Sequence, residues 1–201
     1  MMETFLKYFL VIYYILFFGF AFILPSYRVW KATKLNPYKL GNSDSAHDYI
    51  GKNFRLTLLA LALVIFLFAF WPAAYQQLLP IPFLAQAVFI WVGLALLILT
   101  FAWVLLAQSH MRKSWRIGID EDVKTELVQI GLFKISRNPI FLGMRVLLVG
   151  IFLVLPNAAT FAILITGELL IQIQVRLEED FLTRTHGESY LSYQKRVRRW
   201  I

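Results

Sequence analysis

Two polar clusters interrupt a chain that is otherwise apolar. The first is Arg137-Asn138-Pro139-Ile140-Phe141, preceded by Gly131-Leu132-Phe133. The second is Arg176, Glu178 and Glu179, followed by His186-Gly187-Glu188-Ser189-Tyr190 and Tyr193. Asn followed by Pro is a helix start, with Asn as cap and Pro at the first helical position. Such a start offers free backbone N–H groups and the positive end of a dipole to a carboxylate. With glutamates ending the neighbouring helix on the same side, the pair of clusters suits a zwitterionic ligand. A further polar stripe, Glu168, Gln172 and Arg176 at intervals of four with Glu179 three further on, shares one helix face. Arg145 lies about twelve residues before the Pro156-Asn157 turn and Glu168 about twelve after it, which puts them at one depth of a hairpin. An unpaired charge inside a bilayer costs at least about 3 kcal/mol, so these two are expected to pair. Metal chemistry has no support: there is no cysteine, and His47, His110 and His186 are scattered.

The elements that must position these residues are membrane helices. The chain is 59% hydrophobic and only 16% charged, with a mean hydropathy of +0.64. A soluble domain would carry about a quarter charged residues. Five apolar segments can span: about Leu6 to Leu24 (ending at Pro25), Leu56 to Trp71, Phe83 to Leu106, Pro139 to Leu155, and Ala158 to Val175. The first lacks an Ala-x-Ala cleavage site and reads as a span rather than a leader. The last two form a helical hairpin. The net charge of +8 does not imply nucleic acid, because the basic residues flank apolar segments, where anionic headgroups and topology account for them. They crowd the loops after the first and third segments and the C-terminal part, and are missing from Gln76 to Pro82 and Pro156 to Thr160. The positive-inside rule then places the N-terminus outside and the C-terminus in the cytoplasm. The expected fold is an all-α integral membrane protein of about five helices, one transmembrane domain over residues 1–201. Residues 1–107 supply three N-terminal helices; residues 108–201 supply a loop, the hairpin and an amphipathic tail from Glu178 to Ile201 lying at the membrane face.

The motifs resemble those of the isoprenylcysteine carboxyl methyltransferase family, integral membrane enzymes related to the phospholipid methyltransferases. That family's pattern runs Gly-hydrophobic-Tyr, Arg-His-Pro-x-Tyr, a hairpin, Glu-Glu, Phe-Gly-x-x-Tyr and a last Tyr. Here it reads Gly131-Leu132-Phe133, Arg137-Asn138-Pro139-Ile140-Phe141, Glu178-Glu179, His186-Gly187-Glu188-Ser189-Tyr190 and Tyr193, from about Ser114 onward. The resemblance implies a cytoplasmic-side pocket for S-adenosylmethionine. Its contacts would be Thr125, Glu126, Leu127 and Val128 in the loop, Phe133 near the adenine, Arg137, Asn138, Pro139, Ile140 and Phe141 in the turn, and Glu178. Asn138 stands where the family has histidine, and Phe133 and Phe141 stand for tyrosines. The arginine that grips a prenylcysteine carboxylate in eukaryotic members falls at Gln174, with Arg176 the nearest arginine.

The resulting expectation is methyl transfer from S-adenosylmethionine to a lipophilic acceptor, an isoprenylcysteine-like carboxylate or a lipid. The acceptor would enter from the bilayer and the cofactor from the cytoplasm. Arg176 would orient a carboxylate, Glu179 or Glu168 would serve an acceptor that needs a base, and Arg145 would complete the polar pocket between the helices. Two alternatives stay open: an NADPH-dependent membrane reductase of the sterol-reductase type, and a non-catalytic lipid-binding protein.

Overall fold

The computed structural model describes residues 1–34, 45–111, 114–115 and 126–201. Among these the secondary structure is helical, apart from an isolated bridge between Pro80 and Asn157. Helix α1 is Met2–Thr33, α2 is Ala46–Phe70 and α3 is Ala87–Met111. Helix α4 is Pro139–Val154, α5 is Ala158–His186 and α6 is Glu188–Arg196. The helices α1, α2, α3 and α5 are each long and apolar enough to cross a membrane. At 16 residues α4 reaches only about 24 Å, short of a bilayer core of about 30 Å. The protein is an all-helical integral membrane protein, as its composition requires.

The first helix does not end at Pro25. It passes through a π-helical turn, Gly19–Ile23, and continues to Thr33. Proline lacks an N–H, so Pro25 cannot donate to the Ala21 carbonyl four residues back. The side-chain amide of Gln108 on α3 donates to that carbonyl instead. The helix therefore survives its proline because a neighbouring helix supplies the missing donor. Similarly, α5 runs past Val175 to His186, where Gly187 at φ +54° breaks it before α6. The tail is thus three pieces: the end of α5, the short α6 and an irregular segment, residues 197–201.

Helices α3 and α4 approach closely through small residues. A Cβ added at Gly93 would stand 2.8 Å from the Gly150 carbonyl oxygen. Helices α4 and α5 form the expected hairpin. Its turn is built by Asn157, whose side chain accepts from the Thr160 N–H at 2.9 Å, while the Thr160 hydroxyl accepts from the Asn157 N–H at 3.2 Å. The segment after α2 is tied to this turn by Ile81 N–H donating to the Pro156 carbonyl at 2.8 Å. That end of the bundle carries no arginine or lysine in these two connections. The opposite end gathers the C-termini of α1, α3 and α5 with the N-termini of α2 and α4, and it is the basic end.

Candidate functional site

The basic end contains a cavity of about 320 Å³. Its wall draws on every spanning element. Phe18 and Phe22 come from α1, Gly51, Phe54, Arg55 and Leu58 from α2, and Met111 and Trp115 from the end of α3 and just beyond. The turn supplies Phe133, Arg137, Asn138, Pro139, Ile140 and Phe141; α4 adds Met144, and α5 adds Gln174 and Glu178. The π-helical turn, Gly19–Ile23, follows Phe18 and contains Phe22, so both cavity rings lie at it.

The turn before α4 is held from behind. A 3-10 turn, Gly131–Lys134, carries Phe133, and the Tyr193 hydroxyl donates to the Phe133 carbonyl at 2.6 Å. Burial pushes the Tyr193 phenol up to about 12, so it stays a neutral donor. The Ser136 hydroxyl donates to the Arg199 carbonyl at 3.1 Å, and the Arg137 N–H donates to the Arg198 carbonyl at 3.0 Å. Arg137 also donates through Nη1 to the Val197 carbonyl at 2.6 Å. The tail therefore clasps the turn.

Glu179 is the centre of this clasp. Its carboxylate accepts from Arg137 Nε at 3.1 Å, from Arg199 Nη2 at 2.8 Å and from Asn138 Nδ2 at 2.9 Å. The side chain is only 5% exposed. A carboxylate so buried is stable only when paired and fully hydrogen-bonded. The Arg199 guanidinium is held charged above its ordinary range, chiefly by its hydrogen bond to Glu179. Asn138 is the residue before α4, yet its side chain makes no capping bond. It turns to Glu179 instead, which corrects the expectation of a simple Asn cap.

The residues singled out in the sequence separate into groups. Phe133, Arg137, Asn138, Pro139, Ile140, Phe141 and Glu178 line the cavity together. Glu126, Leu127 and Val128 are not part of its wall, and Gln129 beside them accepts from Arg196 of α6 at 2.9 Å. Thr125 lies outside the described residues. Glu179 sits behind the turn rather than in the cavity, with its oxygens committed to three donors. Arg176 does not point into the hairpin: it is exposed and folds back on Gln172, donating to its carbonyl at 2.6 Å. The inner face of α5 carries Gly167, Ile171, Gln174 and Glu178, and Glu168 and Gln172, each one residue on from an inner position, are turned about 100° from it on the stripe that Arg176 continues. In the tail Tyr190 and Tyr193 are buried, and the Tyr193 hydroxyl bonds the turn.

Arg145 and Glu168 do pair, Nε to Oε2 at 2.7 Å. Trp200 of the tail covers the guanidinium at 4.4 Å from its ring centroid, and Gln172 donates to the other carboxylate oxygen at 2.8 Å. This cluster lies outside the cavity wall and locks the hairpin to the tail. Because both side chains are about one-third exposed, the coupling is modest. A double-mutant cycle of Arg145→Ala and Glu168→Ala, read by thermal denaturation, is expected to give about 1 kcal/mol. A coupling of zero would mean that the pair contributes nothing to the hairpin.

A family profile described as phospholipid methyltransferase matches residues 88–189. The chain belongs to the phospholipid methyltransferase family. The match runs from the start of α3 into α6 and so includes the turn, the hairpin and both glutamates. Family membership carries methyl transfer to a lipophilic substrate as the activity of this chain at that level. No curated protein matches the chain. Helices α1 and α2 and the clasping tail fall outside the family match, yet they supply the Phe18, Phe22, Phe54 and Leu58 wall and the Arg199 anchor. Nothing in the sequence marked those residues: an apolar residue facing a cavity has the same type and spacing as one facing lipid.

Proposed function

We propose that this phospholipid methyltransferase family member transfers a methyl group from S-adenosylmethionine to a lipophilic acceptor. The transfer takes place at the basic, cytoplasmic end of the bundle, with the N-terminus on the outer side. The supporting observation is a cavity of about 320 Å³ that joins the Arg137 to Phe141 turn to a largely apolar wall from four spanning helices. Its size lies within the roughly 300–1,000 Å³ usual for small-molecule sites.

The donors fit the cofactor. Two guanidinium groups surround one carboxylate in the Arg137, Arg199 and Glu179 cluster, leaving a formal charge of +1 beside the cavity. That charge and the open N–H groups at the start of α4 suit the cofactor's carboxylate. Glu178 suits its amine, and Phe133 offers a face to its adenine, with Asn138, Pro139, Ile140 and Phe141 beneath. When bound, S-adenosylmethionine supplies a methyl group on a positively charged sulfonium. The chain's own residues hold the acceptor in line and exclude water, which is where most of the rate advantage of a bimolecular transfer arises.

Titration of the purified protein with S-adenosylhomocysteine by calorimetry is expected to show saturable heat and a raised melting temperature. No heat and no thermal shift at millimolar ligand would overturn the proposal. Binding of NADPH instead would make the protein a reductase.

A further inference from the structure

The C-terminal segment and the turn before α4 meet in a joint. The Arg137 N–H donates to the Arg198 carbonyl, Arg137 Nη1 donates to the Gln194 carbonyl at 3.3 Å, and the Tyr193 hydroxyl holds Phe133. Residues 187–201 carry four basic side chains against one acidic, Glu188. Arg199 is committed to Glu179 and Arg196 to Gln129. Lys195 and Arg198 are exposed, as is Lys134 on the turn, and none of the three makes an ion pair among the described residues. Each stands at or beside a residue that bonds across the joint: Lys134 follows Phe133, Lys195 follows Gln194, and Arg198 offers its own carbonyl. Closing the joint therefore gathers three like charges beside the excess positive charge of Arg137, Arg199 and Glu179. Charges of one sign destabilise a compact arrangement by repulsion unless a counter-charge lies among them.

The joint also lies at a definite depth. At 16 residues α4 reaches about 24 Å, so with the hairpin turn at the far edge of a core of about 30 Å its start falls just beneath the headgroups. Trp200 covers Arg145, about 9 Å farther along α4, and so carries the end of the chain down beside the hydrocarbon. Ile135 and Ile201 are exposed at that level, while the long stems of lysine and arginine lift their charges to the headgroups. We propose that this joint is a docking surface for anionic phospholipid headgroups, whose phosphates lie among Lys134, Lys195 and Arg198 and hold the clasp closed. The occupant is a lipid surface because the cations are flanked by exposed isoleucines at the leaflet boundary; a free anion would match the charges alone. None of the three cations lines the cavity, so the surface is separate from the acceptor site. Its effect on the cavity runs through Arg137 and Asn138, which bond the C-terminal segment and also line the wall. That consequence alone rests on the methyl-transfer reading.

The test places the full chain in nanodiscs of phosphatidylcholine, alone or with phosphatidylglycerol as about a third of the lipid, an anionic surface that attracts such cations. Hydrogen exchange of the Arg137 amide reports closure of the joint with no cofactor present. Phosphatidylglycerol is expected to slow that exchange at least about fivefold, the equivalent of one cation's attraction to an anionic leaflet. Lys134→Gln, Lys195→Gln and Arg198→Gln together are expected to remove the lipid response. They should also leave exchange in pure phosphatidylcholine slower than in the parent, because the repulsion has gone; side chains with a purely structural role would speed it. Arg28→Gln, Lys31→Gln and Lys52→Gln remove the same charge from exposed positions of α1 and α2, and this control is expected to keep the full response. The proposal is overturned if phosphatidylglycerol leaves the parent's exchange unchanged, or if the control loses the response as fully as the joint variant. It is also overturned if inorganic phosphate in phosphatidylcholine discs reproduces the effect, which would make the joint a free-anion site. Affinity for S-adenosylhomocysteine is expected to rise with phosphatidylglycerol by a similar factor, and an unchanged affinity would overturn the link to the cavity. Failure of S-adenosylhomocysteine to bind at all would overturn the methyl-transfer reading, while the exchange result still decides the docking surface.

Discussion

Glu179→Ala is expected to lower stability by about 3–5 kcal/mol, the cost of removing one partner from a buried ionic cluster. Three donors converge on this carboxylate, and all three would be left facing one another: Arg137, Arg199 and Asn138. Two like charges would then lie close together with no anion between them. The effect should reach the cavity, because Arg137 and Asn138 line it and the C-terminal segment holds the turn through the same residues. Thermal denaturation and S-adenosylhomocysteine titration on one preparation measure both consequences. Arg199→Ala makes the informative control. Arg199 is one-third exposed, and its loss leaves Glu179 still paired to Arg137 and Asn138, so a clearly smaller decrease is expected. If Glu179→Ala stays within about 1 kcal/mol of the parent protein, the clasp is not a buried ionic cluster in the sense argued.

Glu179 also shows what was and was not legible in the sequence. The helix period placed Glu179 on the stripe of Arg176 and did not show its burial, whereas the membrane class, the hairpin and the Arg145 to Glu168 pair followed from hydropathy, turn residues and matched depth. Those are local rules, or rules of one hairpin. The role of Glu179 depends on a contact with Arg199, and that contact depends on where residues 197–199 run after Gly187 breaks the helix. No pattern of spacing states that path. Arg176 illustrates the converse error: it shares a stripe with Glu168 and Gln172, but a stripe fixes only a shared face, not which face looks inward. The inner face of α5 is set by packing against α2 and α4, and it places Gln174 rather than Arg176 in the cavity. The end of the first helix was misplaced for a similar reason. Pro25 is a valid stop signal by itself, and only the Gln108 amide from a distant helix cancels it.

Gly131→Ala is expected to be the second severe variant, with a loss of about 2–5 kcal/mol from two separable causes. Gly131 has φ +58°, which disfavours any residue with a Cβ by about 1–2 kcal/mol. In addition, the ring of His110 occupies the space where the Cβ would stand, overlapping its Cε1, Nδ1 and Nε2 atoms. Swinging His110 aside would also break its long hydrogen bond, in which Nδ1 accepts from the Leu132 N–H at 3.4 Å. The turn that carries Phe133 to the cavity would have to shift, so cofactor affinity should fall together with stability. The double variant Gly131→Ala with His110→Ala distinguishes the two causes. Deleting the ring relieves the overlap but not the backbone strain, so the pair should recover part of the loss and remain about 1–2 kcal/mol below His110→Ala alone. Full additivity of the two single losses would show that the ring and the glycine do not share that space. Full recovery would show that the left-handed backbone at position 131 carries no strain.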